Sequence, residues 1–524
     1  MANTEPRERK GIVGGWLSLA RWIQVLVVAV AVALVVTVIV IFGPSWFADC
    51  DPGLTETDDA QCVGVSNGAA SISTELTDVL GKIRAENEWV AAQGQGAPGD
   101  DQKPVQAVSV AILLPMPRPG ADIDFAAALR HALEGAHLAQ RLANHTATFG
   151  DSPSVRLLVA NSGERSAYWK EVVDSLLTMR PGGSNDQRLV AVVASGQSLT
   201  STRYAVDALV GASMPVVSDR LTGDRLTSAA PSPSIPLVRV APRNSDQAAA
   251  SAAFLKPETA TAMLVQDINP EDTYASSLGQ AFQQSYVDAS HRLIGRTANY
   301  NGALPGVGNA MGGIVREICA LRPDVVFFAG RSDALGALVQ ALPSRTCPEF
   351  PVRIVTADDA VDFSTAVRRG NSALRDGLAA NASVNYTTLA HPEAWNAVQA
   401  AFSAQSVAAL RGSCEQYCYP RLFPRGDLTD GAAIMGFDAM LLIVRAVRTS
   451  DGINHSPELI IQYLPRIHDA ESIPGASGWI SLSENGEATN KAVPIVRIDA
   501  DGQVHFVRLS STFGTPCMPG ITVC

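Results

Sequence analysis

Residues 192–201 read VVASGQSLTS, an apolar run followed by a glycine, a hydroxyl-rich turn and a helical pattern. A serine held between a strand and a helix is how some hydrolases present a nucleophile. That chemistry needs a second glycine after the serine, and Ser198 stands in G-Q-S-L-T without one. It also needs a base within reach, usually a histidine. The histidines are His131, His137, His145, His291, His391, His455, His468 and His505. The first three fall within or just after one helical stretch, His291 ends another and His391 opens a third. None follows a strand in a catalytic loop. The chain also lacks a G-x-x-x-x-G-K-[ST] loop, a G-x-G-x-x-G after a strand and an H-E-x-x-H pair. The expectation is a protein that is not an enzyme and carries no cofactor.

Binding explains the same loop more simply. In an open parallel sheet, ligands sit beyond the carboxyl ends of the strands. Gln197, Ser198, Thr200 and Ser201 fall at such a place. So do SDRLTGD (218–224) with Arg220 and Thr222, GRSD (330–333) with Arg331, and TADDA (356–360) with Asp358. Hydroxyls and free N–H groups at helix N-termini suit a carboxylate. A carboxylate such as Asp358 from a facing lobe suits an ammonium, so the set suits a zwitterion. Plainer roles stand beside these: Ser198 and Thr222 as caps, Asp358 and Asp359 as a solvated turn, Arg331 as the partner of a surface acid, and Asp272 as the cap of its helix.

The elements that must position these residues follow from the pattern. Apolar runs at 105–116, 155–161, 188–195 and 214–218 alternate with amphipathic stretches at 124–144, 167–179 and 200–212. The alternation restarts after 235–244, with strands at 261–269, 293–300, 324–330 and 352–358 and helices at about 272–289, 307–321 and 332–343. Continuous apolar strands between helices predict two doubly wound parallel-sheet lobes with a hinged cleft. Long helical stretches at 391–412 and 431–450 and a turn-rich β segment complete the body.

The chain has 524 residues and a net charge of −11 with no run of five basic residues, which argues against a nucleic-acid partner. Residues 23–42 form an uncharged apolar span preceded by Arg7, Arg9, Lys10 and Arg21 and followed by Asp49, Asp51 and Glu56. It is long enough for one transmembrane helix with the N-terminus cytoplasmic. The expectation is a single-pass cell-membrane protein with an extracellular body. A cleaved signal peptide would lack its A-x-A site, and a lipoprotein modification at Cys50 would meet Asp49 where a small residue belongs. Residues 1–22 are then a cytoplasmic tail. Residues 43–104 form an extracytoplasmic linker with one short helix, and 511–524 form a tail. Cys50, Cys62, Cys319, Cys347, Cys414, Cys418, Cys517 and Cys524 all follow the apolar span and fall into four sequence-local pairs. They are disulfide candidates whose connectivity the spacing leaves open. No C-x-x-C or Cys/His clustering supports a metal site.

Several stretches together resemble the type I periplasmic binding fold. These are LEGAHLAQRLAN, VAVVASGQSLTSTRYAVDAL, MPVVSDRLTGDRLT, RVAPRNSDQA, LVQDINPEDTYASSLGQAF, DVVFFAGRSDALGALVQAL and GASGWISLSENGEATN. Within that fold they are similar to the branched-chain amino-acid-type substrate-binding proteins of ABC transporters and related receptor ligand-binding regions, and the Ala-rich, membrane-tethered chain looks like an actinobacterial version. The resemblance implies lobe 1 at 105–241 and 382–493 and lobe 2 at 242–381 and 494–510. It implies a small-molecule ligand, and an ABC permease or a membrane signalling protein as partner. By motif position Ser198 and Thr222 match hydroxyls that hold a ligand carboxylate, and Asp358 matches its ammonium partner. Arg331 stands where the family has an aromatic cover, a departure that argues against an apolar amino acid. The implied function is a membrane-anchored solute-binding protein for uptake or sensing. The alternative is a receptor-like module whose degenerate cleft leaves its lobes to bind a protein.

Overall fold

The computed structural model describes residues 50–93, 107–228, 236–412, 414, 416–449, 455–513 and 516, together with Leu26 and Val30. The chain divides into two compact units, Met1–Asp51 and Pro52–Cys524. In the first, Leu26 and Val30 are helical and exposed. The rest of the apolar span at 23–42 lies outside the described residues. No helix among the described residues is long and apolar enough to cross a membrane.

The second unit is built on two mixed sheets. The first contains β1 (Leu54–Glu56), β2 (Cys62–Ser66), β3 (Ala107–Leu114), β4 (Ser154–Asn161), β5 (Leu189–Ala194), β6 (Val216–Ser218) and β7 (Leu237–Arg239). Their order is β1-β2-β4-β3-β5-β6-β7, with the β1–β2 and β2–β4 pairs antiparallel and the rest parallel. The second contains β8 (Thr261–Asp267), β9 (Arg292–Leu293), β10 (Ala298–Tyr300), β11 (Val325–Ala329), β12 (Val352–Thr356), β13 (Ala382–Thr387), β14 (Val493–Ile498) and β15 (Val504–Ser510). Its order is β10-β8-β11-β12-β13-β14-β15, with β9 beside β8 and an antiparallel margin from β13 to β15.

Alternate residues of each central strand enter different cores, as the period of two requires. Val110 and Ile112 of β3 join one cluster, Ala111 and Leu113 the other. In β11, Val326 and Phe328 face one core and Val325 and Phe327 the other. Both faces of each sheet are therefore covered, which is why the strands read as unbroken apolar runs.

Four expectations are corrected. Residues 52–93 are part of the folded body and not a linker. β2 pairs with β4, and Leu76, Leu80 and Ile83, leading into and along the helix Thr77–Gln93, are buried in the first core. Where β2 ends, Asn87 of that helix takes over the edge of β4. Its amide donates to the Leu157 carbonyl at 2.8 Å and accepts the Leu157 N–H at 2.9 Å. The sheets are mixed and not purely parallel, because β1–β2 and β14–β15 are hairpins that 3.6-residue periodicity does not reveal. The helical stretch at 391–412 is broken into Ala394–Ala397 and Ala404–Arg411. Val398 leaves helical dihedrals, the Trp395 indole donates to the Ala476 carbonyl at 2.7 Å, and Ser403 caps a fresh helix by accepting from Ser406 N–H.

The drawn boundary at 381/382 also differs from sheet membership: β13 lies in the second sheet, and the chain leaves it after Thr387. On the first lobe, the helices Ile123–His145 and Ala432–Thr449 cross at Gly135 and Gly436. A Cβ at Gly135 would fall 1.8 Å from the Ala433 carbonyl oxygen, so only glycine lets the backbones approach this closely. Disulfides join Cys319 to Cys347 and Cys414 to Cys418, and Cys50 and Cys62 are each disulfide-bonded. Cys517 and Cys524 lie outside the described residues.

Candidate functional site

Four strand ends meet between the lobes. The loop after β5 turns at Gly196, whose φ of +112° and closeness to the Pro115 ring suit glycine alone. Ser198 follows and is buried. Its Oγ accepts the Gly223 N–H at 3.0 Å, and among the described residues no histidine bonds to it. Nothing there activates it as a nucleophile.

The loop after β6 carries Asp219, Arg220 and Thr222. Burial pushes the Asp219 carboxyl up to about 6, and it accepts the Ser195 hydroxyl at 2.9 Å. The Arg220 guanidinium lies 5.9 Å from the Phe125 ring, and its buried Nη1 lacks a partner among the described residues. Thr222 Oγ1 donates to Asp358 Oδ1 at 3.2 Å. Asp358 comes from the other lobe, just past β12. It also accepts the Gln247 amide at 2.7 Å, while Gln247 Oε1 accepts the Thr387 hydroxyl at 2.7 Å. Burial pushes the Asp358 carboxyl up to about 6 against the help of the Gln247 bond.

Arg331 is the most heavily bonded group. It precedes the helix Ser332–Ala341, and its Nε and Nη2 meet Asp272 at 2.6 and 2.9 Å. Nη1 meets Asp359 at 2.7 Å, and the guanidinium carbon lies 4.4 Å from the centre of the Tyr274 ring. Burial acts to lower its pKa, but Asp272 and Asp359 outweigh burial and hold it well above the ordinary arginine range. Asp272 caps the helix Thr273–Tyr286 by accepting Tyr274 and Ala275 N–H groups, and it serves Arg331 as well. Arg331 is thus paired, with acids that are buried and not on the surface.

Gln197, Ser198, Arg220, Thr222, Arg331 and Asp358 all line one space of about 20 Å³. That is room for about one water. Phe125, Tyr274, Asp359 and Asp362 share it. Gln197 and Arg331 also face a second, larger cavity of about 670 Å³ bounded by both lobes. The lobes are pinned together beside it: Thr200 N–H donates to the Glu271 carbonyl at 3.1 Å and Thr273 Oγ1 to the Ser198 carbonyl at 2.9 Å. Arg369 reaches across to Asp124 at 2.7 Å.

Sequence reasoning missed Gln247, Asp359 as an Arg331 partner, and the cavity itself. Gln247 lies in RNSDQA, visible only as a lobe crossing. Asp359 is adjacent to Asp358, and the register of a two-residue turn decides which one faces which lobe.

These strand-end loops, two sheets and an interlobe cavity define the type I periplasmic binding fold, and the solved structures that resemble the chain are consistently of that fold. Among them is the leucine-binding protein LivK of Thermotoga maritima, at TM-score 0.57 and 18% identity over 77% of this chain and 98% of that one. The branched-chain amino acid substrate-binding protein LivJ of Streptococcus pneumoniae, in complex with isoleucine, matches at TM-score 0.57 and 16% identity over 78% and 100%. A solute-binding protein of R. palustris in complex with 4-hydroxybenzoate matches at TM-score 0.55 and 12% identity over 79% and 98%. No family model matches the chain, and no curated protein matches it.

Proposed function

We propose that the chain is a membrane-anchored, extracytoplasmic solute-binding protein that closes its lobes on a small, polar, amino-acid-like ligand for ABC-type uptake or sensing. The observation that carries this reading is the 670 Å³ cavity walled by strand-end loops of both lobes. Its size falls within the range of small-molecule sites. Gln197 and Arg331 stand at its inner end, and Ser198, Thr222 and Asp358 tie the two lobes behind them. Closure on a ligand is then coupled to the same bonds that hold the lobes together. Binding needs no activated nucleophile, in keeping with the passive bonding of Ser198.

The test is thermal unfolding and calorimetry of the full chain against amino acids and their derivatives, peptides, sugars and nucleosides. A true ligand at about one hundred times its Kd stabilises the folded state by about 2.7 kcal/mol. Absence of heat and of any shift with every class would overturn the reading and turn attention to a protein partner of a degenerate cleft. Membrane fractionation of the full chain against a variant lacking residues 23–42 tests the anchor: release of both into the soluble fraction alike would remove it.

A further inference from the structure

We propose that the ligand of the interlobe cavity is an organic cation with an apolar body, and that the carboxylate of Asp267 receives its charge. This rests on the solute-binding reading above and names the class of solute.

The cavity has two kinds of wall. Pro115, Phe125, Val307, Ala334 and Ala337 supply apolar surface, and Asp122, Glu164, Asp267, Asp272 and Asp333 supply carboxylates. Their charges are not equally available. Arg331 holds Asp272, and Arg118 meets Glu164 at 2.5 Å. Asp122, Asp267 and Asp333 have no basic partner among the described residues. On the opposing side, Arg331 is saturated by Asp272 and Asp359, which leaves the exposed Arg165 at the rim as the other lining cation. The cavity therefore faces a solute with more free negative charge than positive.

Asp267 is the group built for a ligand. It ends β8 at the carboxyl edge of the second sheet, where its residue is 3% exposed. Oδ1 accepts the Asn269 and Gly302 N–H groups, each at 2.9 Å, which fixes the carboxylate in place. Oδ2 has no hydrogen-bond partner among the described residues, on a side chain that lines the cavity. A Cβ at residue 302 would lie 2.4 Å from Oδ2, so Gly302 keeps that oxygen uncovered. A fixed carboxylate oxygen left without a partner at a cavity wall is an open acceptor, and an ammonium or guanidinium N–H is the donor that suits it best. Two other wall carboxyls also lack a basic partner among the described residues. Burial, and then the charges of neighbouring acids, push Asp333 above the ordinary carboxylate range, and burial and Asp359 do so for Asp122 against its bond from Phe125 N–H.

A ligand carboxylate finds no comparable reception. Two helix N-terminal donors beside the site are already used, Thr200 N–H by the Glu271 carbonyl and Ser332 N–H by Asp359 at 2.7 Å, which leaves the uncapped N-terminus at Val307. An anion could reach Arg331 only by displacing Asp272 or Asp359, and would otherwise have the exposed Arg165 to set against Asp122, Asp267 and Asp333. The charge balance thus favours a cation over a zwitterion or an anion of the same size.

A matched series separates these. Leucine amide is a cation, leucine a zwitterion, N-acetyl-leucine amide neutral and N-acetyl-leucine an anion, on one hydrocarbon body; cadaverine adds a cation of another shape. Calorimetry on the full chain is expected to give a cation at least tenfold tighter binding than leucine, with no heat from N-acetyl-leucine. Asp267→Asn keeps the Oδ1 acceptor and is expected to weaken cation binding more than tenfold. The exposed Asp333→Asn, a safeguard should the first variant misfold, is expected to weaken it severalfold. If leucine or N-acetyl-leucine binds as tightly as the cations, the cation assignment is overturned while the solute-binding reading stands. If cation affinity is unchanged in Asp267→Asn, or in Asp333→Asn where the first does not fold, the site is overturned. If no probe here or in the wider panel binds, both readings fall.

Discussion

Asp358 is a half-buried acid whose two hydrogen-bond donors come from Thr222 on the facing lobe and from Gln247. Its carboxyl titrates near 6, against an ordinary value of 3.8, chiefly because burial penalises the charge. The folded state therefore holds a proton that the unfolded chain gives up between about pH 4 and pH 6. Stability from this group is fully present below pH 4 and is lost as pH rises through 6. The shift corresponds to about 3 kcal/mol at most. Asp358→Asn, which cannot ionise, is expected to flatten the fall in unfolding free energy between pH 4 and pH 7 by up to about that amount. Asp219, which titrates in the same range, accounts for a remaining slope. Denaturant unfolding at the two pH values checks it, and an unchanged slope would count against a raised Asp358 carboxyl. At this scale the sequence was informative about position and not about partner. Ser198, Thr222, Arg331 and Asp358 could be placed after strands because strand ends are recognisable. That Ser198 spends its oxygen on Gly223, or that Arg331 lies against Tyr274, depends on residues 25 to 57 positions away in the chain, which no local pattern encodes.

Among the elements, the strands and helices that bury a continuous face were legible, and those fixed by contact were not. VVFFA reads as a buried strand by composition, and 307–321 reads as a helix with the bounds the structure shows. The hairpin β1–β2 has short strands with mixed burial, so its pairing with β4 is set by tertiary contact. The break near Val398 arises from the Trp395 and Ser403 bonds to the 475–476 turn, which the helical periodicity of 391–412 conceals. Two helical glycines look alike in sequence and differ in space. Gly81, in the helix Thr77–Gln93, has nothing within 4 Å of a would-be Cβ, whereas Gly135 faces the backbone of the partner helix. Gly81→Ala is expected to stabilise by about 0.5–1 kcal/mol. Gly135→Ala is expected to destabilise by about 1–3 kcal/mol through overpacking. Opposite signs in paired denaturation curves would support the close crossing, and equal signs would refute it.

At the scale of the whole molecule, two lobes and their alternation were legible because each sheet repeats the same strand–helix rhythm. The extent of the first lobe was not. The Gly- and Pro-containing stretch GQGAPGDDQKP marks a boundary by composition, yet the chain on its N-terminal side belongs to the fold. Asn87 shows how firmly. With Leu157 it forms both bonds that a neighbouring strand would form, and it also accepts the Gln140 amide at 2.8 Å. Glu86 beside it takes the Asn144 amide at 2.8 Å and His145 at 3.0 Å. A protease that cut within residues 94–106 would sever the polypeptide without releasing the piece before the cut. The two fragments would travel as one particle in native chromatography and separate only under denaturant, whereas a product expressed from residue 105 onward would show the bare edge of β4 to its neighbours and be prone to self-association.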